Sequence, residues 1–172
     1  MLDENNTPAE TGTPDDVVPV QTTRWGIIDV PGGDLIDLPG GLLGLESGER
    51  FVLVRPGDDA TFFWLQSTSR PDVAMVVTDP TWFHADYSVE LREETRRDLG
   101  LAPGEDASVV QTLVVVNKVS DATGEWLTGN LMGPILVNTL TRRGRQVVLG
   151  ERKWGMRQPL LQLAPAVSAK SA

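Results

Sequence analysis

Five carboxylates and the single histidine crowd the stretch that begins TDPTWFHADY at residue 78. The acids are Asp79, Asp86, Glu90, Glu93 and Glu94, and His84 lies between the first two. A glycosidase-type pair needs two carboxylates about 5 to 10 Å apart in a cleft, and a hard metal ion needs several converging oxygens. The spacing matches no calcium-binding loop, so a solvated acidic face is the favoured interpretation. A carboxylate-dependent hydrolase using Asp79, Asp86 or Glu90 stays open as an alternative.

The lack of cysteine and the single histidine limit the chemistry further. Without cysteine the chain has no disulfide, no thiolate nucleophile and no cysteine zinc site. A serine-type catalytic triad would have to pass through His84, for which the sequence identifies no partner. We therefore predict no catalytic residue, no metal site and no cofactor.

Aromatic residues of the same region could instead bind a partner. In TFFWLQ (61–66) both faces of the predicted strand are apolar, which favours a barrel interior over a partner-facing surface. Trp82 and Phe83 instead follow the turn-forming Asp79-Pro80 pair. Aromatic residues on a loop beside acids are typical of a binding rim. A small core under the loop is the alternative.

Two further stretches have some features of nucleotide or RNA sites. PGGLLGLESGE (39–49) is rich in glycine but lacks the Gly-Lys-Ser/Thr ending of a P-loop, so its glycines are predicted to form turns. Residues 142–157 carry six bases against one acid, which leaves a direct RNA-binding small barrel as a second alternative.

The acidic charge of the rest of the chain argues against a nucleic acid partner. Residues 24–141 carry eighteen acids against eight bases, and the whole chain has a net charge of -9. Such a body repels a polyanion and suits a basic protein partner. Acids that only keep the protein in solution are the alternative.

Short apolar runs separated by Gly, Pro and Asp turns dominate the middle of the chain. The predicted strands cover residues 24–30, 35–38, 50–55, 61–66, 72–77, 108–117, 133–138 and 145–150. One helix is predicted over 92–99, ending at Gly100, and a hairpin turn at Arg143-Gly144 with Gly144 at positive φ. This pattern predicts a mostly β fold, a small antiparallel β-barrel with one or two short helices.

The two ends of the chain differ from the predicted domain, residues 23–160. Residues 1–22 carry acids, Pro and Thr with few apolar side chains, and are predicted to be a disordered acidic tail. Residues 161–172 are predicted to be a second tail. No run approaches the roughly 18 apolar residues of a membrane span, and the start has no secretory signal pattern. A cytoplasmic protein without a membrane partner is expected.

Four blocks of sequence together resemble a known family. GLLGLESGERFVLV, FFWLQSTSRPDVAMVVTDP, DYSVEL and NLMGPILVNTLTRRGRQVVL occur in the order found in the bacterial flagellar assembly factor FliW. The resemblance runs from about Leu38 to Leu160, nearly the whole predicted domain. It implies a small antiparallel β-barrel with short helical elements, in agreement with the strand pattern.

The resemblance also implies a function without catalysis. Proteins of this family bind newly made flagellin in the cytoplasm and also bind CsrA, an RNA-binding translational repressor, which they antagonise. Flagellin and CsrA would then compete for the protein, so that export of flagellin frees it to capture CsrA. Direct contact with nucleic acid is not expected.

Which residues contact these partners is a hypothesis based on residue type and position. We expect one contact surface around Asp79, Trp82, Phe83 and Asp86, and another around Asn130, Pro134 and Asn138. A structural role is the alternative for the second group, because Asn at strand ends satisfies backbone groups and Pro marks a strand start or edge.

Overall fold

Strands make up most of the ordered structure in the computed structural model, which describes residues 16–45, 48–150 and 152–164. The strands are β1 (Val17–Thr22), β2 (Gly26–Pro31), β3 (Ile36–Leu38), β4 (Glu49–Val54), β5 (Phe62–Ser67), β6 (Ala74–Thr78), β7 (Val110–Asp121), β8 (Gly124–Gly129), β9 (Ile135–Asn138), β10 (Gly144–Gln146) and β11 (Gln158–Gln162). The helix α1 spans Glu93–Asp98, and 3-10 helices lie at Gly32–Asp34, Pro80–Trp82 and Ala107–Val109. The described residues contain no helix long and apolar enough to cross a membrane.

Nine of these strands form one curled antiparallel sheet. Its main path runs β10-β9-β7-β6-β5-β4-β3, with β8 paired to β7 and β11 paired to β8. The two ends of the path meet at a bridge between Asp37 and Arg143, where the Asp37 N–H donates to the Arg142 carbonyl oxygen (2.9 Å). The sheet curls into a half-barrel, and β1 and β2 form a separate two-stranded sheet. The predicted fold class is confirmed.

Alternating side chains fill the interior of the half-barrel. The buried cluster comprises Ile36, Leu38, Leu42, Phe51, Phe63, Leu65, Val77, Leu113, Ile135 and Val137. Because successive side chains of a strand point to opposite faces, Phe63 and Leu65 face this interior while Phe62 and Trp64 lie half-buried on the outer face. The interior role predicted for the TFFWLQ aromatics therefore holds for Phe63 only.

The outer face of β5 is covered by two separate parts of the chain. Trp25, between β1 and β2, packs edge-on against Trp64 with ring centroids 5.9 Å apart. The guanidinium of Arg24 lies 3.8 Å from the Trp64 ring centroid, a cation–π arrangement. Phe83 covers Phe62. Both faces of the strand are covered, as its apolar sequence predicts.

The folded part begins earlier and ends later than predicted. Residues 17–22, predicted to belong to the tail, form β1, in which Val20 is buried against Val30 and Val52. The alternation of Val18, Val20 and Thr22 with more exposed neighbours supplies the physical reason. At the other end β11 extends to Gln162, past the predicted boundary at 160. The remaining parts of both predicted tails, 1–15 and 165–172, lie outside the described residues.

The helix and the last hairpin agree with the sequence except for one glycine. The predicted helix is present as α1, with Glu93 and Glu94 in its first turn and Arg96 and Arg97 in its last, an arrangement that complements the helix dipole. The β9–β10 hairpin is also present, but the positive φ belongs to Arg142 (58°) and not to Gly144, so that prediction is wrong.

Gly144 is needed for its lack of a side chain. A Cβ at this position would lie 2.6 Å from Leu38 Cδ2 and 3.1 Å from the carbonyl oxygen of Leu136. The close approach of β10 to β3, which curls the sheet, therefore depends on glycine at this position.

Candidate partner-binding surfaces

Asp79 sets the conformation of the loop that follows β6. Its carboxylate accepts hydrogen bonds from the Thr81 N–H (2.9 Å) and the Thr81 hydroxyl (2.6 Å), which makes it the N-cap of the 3-10 helix Pro80–Trp82. Pro80 is buried and occupies the first helical position, which its fixed φ favours. Asp79 therefore positions the two aromatic residues that follow.

Trp82 and Phe83 lie in different environments. Trp82 is 53% exposed, with its ring centroid 6.0 Å from that of Phe63. Phe83 is half-buried and stacks on Phe62 with ring centroids 5.8 Å apart. Trp82 is thus at the surface and Phe83 is packed on β5, and a binding role for this rim stays a prediction.

A shallow pocket of about 580 Å³ lies beside these aromatic residues. We call it the rim pocket, and its lining includes Arg55, Asp58, Asp59, Phe63, Trp82 and Phe83. The acids next to the aromatic rings are thus Asp58 and Asp59 of the turn between β4 and β5, which sequence reasoning missed. The consecutive aspartates of PGDDA were the available signal.

Asp86 and His84 attach the same loop to the C-terminal part of the chain. Lys153 Nζ lies 2.7 Å from Asp86 Oδ2, and this hydrogen bond lowers the pKa of the Asp86 carboxyl below its ordinary value. His84 Nε2 lies 3.0 Å from the carbonyl oxygen of Pro159, and its ring packs edge-on to Trp154 at 5.3 Å. These contacts hold the loop against the C-terminal part of the chain.

The second predicted group is mostly internal. Asn138 is buried, and its side chain is hydrogen-bonded to backbone atoms at the end of α1 and in the turn after β9. Pro134 is buried as well, and its carbonyl oxygen accepts the Val147 N–H at 3.0 Å. Asn130 is half-buried, accepts the Gly133 N–H at 3.0 Å and lines a groove. The structure does not join Asn130, Pro134 and Asn138 into one exposed surface, and the structural alternative fits Pro134 and Asn138.

That groove opens at one end of the half-barrel and has a volume of about 470 Å³. We call it the mouth groove. Its apolar lining includes Leu42, Leu43, Leu45, Met75, Val115 and Met156, and its polar lining consists of Asp72, Asn117, Asn130, Gln146 and Arg157. Met75 and Val115 also pack against the interior cluster, so the groove continues the hydrophobic core to the surface.

Two exposed apolar side chains make the mouth groove a candidate recognition surface. Leu43 is 65% exposed and Met156 is 62% exposed. Gln146 holds the wall in place, because its Oε1 accepts the Leu43 N–H (2.7 Å) while its Nε2 donates to the Gly133 carbonyl oxygen (2.8 Å). Contiguous apolar surface with a polar rim is typical of protein interfaces. Apart from Asn130, the sequence did not predict this surface, since its residues come from six separated segments.

Some of the acids and bases singled out by the sequence form ion pairs. Arg145 forms ion pairs with Glu94 and Asp98 on α1, and Lys153 pairs with Asp86. Part of the positive charge of segment 142–157 is therefore already neutralised. Among the described residues no three Asp, Glu or His side chains form a cluster that could hold a metal ion.

The fold and these surfaces define a class of protein: a mostly β half-barrel with an apolar groove and an aromatic rim at its surface. The chain belongs to the FliW protein family, whose model matches residues 19–160. The resemblance stated from the sequence is thereby confirmed, and the family is one of flagellar assembly factors.

Individual members of the family match over most of their length. The flagellar assembly factor FliW of Geobacter sulfurreducens is 37% identical over 145 residues, which cover 84% of this chain and 87% of that protein. The flagellar assembly factor FliW of Magnetococcus marinus is 34% identical over 142 residues, 83% of this chain and 84% of that protein. A crystal structure of the flagellar assembly factor FliW has a TM-score of 0.71 at 26% identity, covering 84% of this chain and 97% of that chain.

Proposed function

We propose that the protein is a non-enzymatic regulator that binds flagellin in the cytoplasm and antagonises the translational repressor CsrA by exchanging one partner for the other. The observation that carries the proposal is membership of the flagellar assembly factor family over residues 19–160. Bound flagellin keeps the protein away from CsrA. Export of flagellin frees the protein, which then captures CsrA and relieves repression of flagellin synthesis.

The charge of the protein supports a basic partner. Eighteen acids against eight bases in residues 24–141 give the body a strongly negative field, and an RNA-binding repressor must present positive charge to phosphates. Opposite charges accelerate encounter and select against acidic competitors. The exposed acids beside Trp82, Asp58 and Asp59, place part of this charge next to an aromatic side chain.

The apolar surface supports a second kind of partner. Leu43 and Met156 are exposed beside half-buried Met75 and Val115 in the mouth groove, which carries one acid and one base, Asp72 and Arg157. Such a groove favours an uncharged apolar segment. Flagellin awaiting export is the partner that we assign to it.

Exchange of partners requires that binding of one weakens binding of the other. This negative coupling is reciprocal, so flagellin must lower the affinity for CsrA by the same factor by which CsrA lowers the affinity for flagellin. It arises from overlapping contact surfaces or from a conformational change that both partners bias.

Calorimetric titration of the protein with each partner tests the proposal. We expect saturable binding of flagellin and of CsrA from the same organism. The affinity for CsrA is expected to fall as salt increases, because ionic contacts are screened, while that for flagellin changes less. A short single-stranded RNA serves as control and is expected not to bind. Failure to bind either protein partner would refute the proposal.

A further inference from the structure

The sheet opens between β6 and β7. All five residues of β6 pair with β5, from Phe62↔Thr78 to Gln66↔Ala74. Only two pair with β7, at Val77↔Val115 and Thr78↔Val114. β8 and β9 follow one another along the opposite edge of β7. Val76 lies next to the Val77↔Val115 pair, so in the described part of the chain only Ala74 and Met75 of β6 have no strand on the side away from β5. We call this opening the fork.

The backbone of Ala74 points into the fork. The Ser67 N–H donates to the carbonyl oxygen of Val73 (2.9 Å), which shows that the backbone groups of Val73 face β5. In an antiparallel pair the groups of successive residues alternate between the two edges. The N–H and C=O of Ala74 consequently face away from β5, as do those of Val76.

The mouth groove occupies the same opening. Asp72, Val73, Ala74 and Met75 form its wall on the β6 side, and Val115 and Asn117 form its wall on the β7 side. The fork thus combines an open strand edge with apolar side chains directly beside it. A helix satisfies its own backbone groups internally and would leave this edge unpaired, whereas an extended segment pairs with it.

A buried acceptor at the same end of β6 also lacks a partner. Gln66 is fully buried. Its Nε2 donates to the carbonyl oxygens of Ser67 (2.9 Å) and Val73 (3.1 Å), but its Oε1 has no hydrogen-bond partner. Gln66 lines a pocket of about 420 Å³ together with Asp72 and Ala74, the two residues that this pocket shares with the mouth groove. A donor is needed here, because an unpaired buried acceptor is costly.

We propose that the fork is a strand-addition site, in which an extended, uncharged and aliphatic segment of flagellin pairs with the backbone of Ala74. The inference rests on the proposed function and adds the place and mode of binding. The aliphatic side chains of the flagellin segment pack on Met75 and Val115. With one acid and one base, Asp72 and Arg157, the groove offers no net charge to a basic repressor, which favours flagellin over CsrA as the occupant.

Ala74→Pro tests the backbone contact. Proline removes the N–H that faces the fork, and it is tolerated on an open strand edge, so pairing with β5 is retained. Ala74→Val is the matched control, since it keeps the N–H and favours a strand. We expect Ala74→Pro to weaken flagellin binding at least tenfold in calorimetric titration with full-length flagellin, and Ala74→Val to bind like the unchanged protein.

Asn117→Trp tests the groove independently, should Ala74→Pro fail to fold. Asn117 is exposed on β7 and lines the groove, so an indole fills the opening without altering β6. Ser120→Trp, exposed on the same strand outside the groove, is its control. We expect only Asn117→Trp to weaken flagellin binding at least tenfold.

The outcomes separate this inference from the proposed function. If the unchanged protein does not bind flagellin, the proposed function fails and the inference with it. If the unchanged protein binds flagellin and every folded variant of Ala74 and Asn117 binds equally well, the inference alone is overturned. The inference is also overturned if the variants of Ala74 and Asn117 lose CsrA binding while their flagellin binding is unaffected.

Discussion

Asn138 fastens β9 to the end of α1, because its Nδ2 donates to the carbonyl oxygen of Leu99 at 2.9 Å. Its Oδ1 accepts the N–H groups of Leu140 (2.9 Å) and Thr141 (3.2 Å). With 1% of the residue exposed, the side chain satisfies one backbone group at the end of α1 and two in the turn between β9 and β10. One asparagine thus joins the helix, the hairpin and the closing edge of the half-barrel.

Replacement of Asn138 by Ala is expected to destabilise the fold. A buried backbone group left without its partner costs about 1–3 kcal/mol, so the free energy of unfolding should fall by about 2–4 kcal/mol in urea titration. Flagellin binding at a temperature where the variant remains folded should be unchanged. Unchanged stability together with lost binding would instead assign Asn138 to a contact surface.

Trp82 and Phe83 are expected to separate binding from stability. Trp82→Ala should leave the free energy of unfolding within about 0.5 kcal/mol, because the side chain is largely at the surface, and should weaken binding of one proposed partner about fivefold or more. Phe83→Ala should lower the free energy of unfolding by about 1–3 kcal/mol, since it removes the stacking on Phe62. A large loss of stability in Trp82→Ala would place that side chain in the core.

Gly144→Ala is expected to disturb the contact between β10 and β3. The added methyl group would meet Leu38 Cδ2 and the Leu136 carbonyl oxygen, and overpacking of this kind costs about 1–3 kcal/mol. Gly40→Ala is the control, because its Cβ would meet nothing within 4 Å. Thermal melting of both variants checks this. Equal melting temperatures would show that the curled sheet does not depend on the close approach at Gly144.

The buried phenol of Tyr87 is expected to make the folded protein less stable at alkaline pH. Its hydroxyl donates to the Leu131 carbonyl oxygen (2.7 Å), and burial raises the pKa of this phenol above its ordinary value of 10.0. The folded state therefore keeps the proton at pH values where the unfolded state loses it, so stability is present below about pH 10 and falls as the pH rises above it. Melting of the unchanged protein and of Tyr87→Phe from pH 8 to pH 11 measures this.

The difference in the free energy of unfolding between the unchanged protein and Tyr87→Phe isolates the contribution of the phenol hydroxyl. Tyr87→Phe should be less stable by about 1–2 kcal/mol at pH 8, where the hydrogen bond to Leu131 is lost, and the gap should narrow above pH 10. A gap that stays constant with pH would contradict the raised pKa.

Sequence patterns identified the strands that carry clear apolar runs between turn residues, and missed those that depend on neighbours. RFVLVR (50–55) and SVVQTLVVVN (108–117) read as strands by themselves, whereas β8 begins at Gly124 and β11 contains Pro159, so pairing with β7 and with each other decides their conformation. β1 was missed because acids and Pro surround its alternating apolar residues.

The candidate surfaces were predicted less completely, for the same reason. Trp82 and Phe83 are adjacent and chemically similar, and only the position of β5 decides which of them is covered. The mouth groove joins residues near 43, 74, 116, 130, 146 and 156, which come together only in the curled sheet. Asn138 carries a side chain suited to either role, and its burial decides between them.

Competition between flagellin and CsrA for the protein is the most direct test of partner exchange. In the decisive measurement, labelled CsrA bound to the protein is titrated with unlabelled flagellin from the same organism, and the anisotropy of the label is followed. We expect flagellin to release CsrA completely, and CsrA to release labelled flagellin in the reciprocal titration. Simultaneous binding of both partners without any change in either affinity would contradict it.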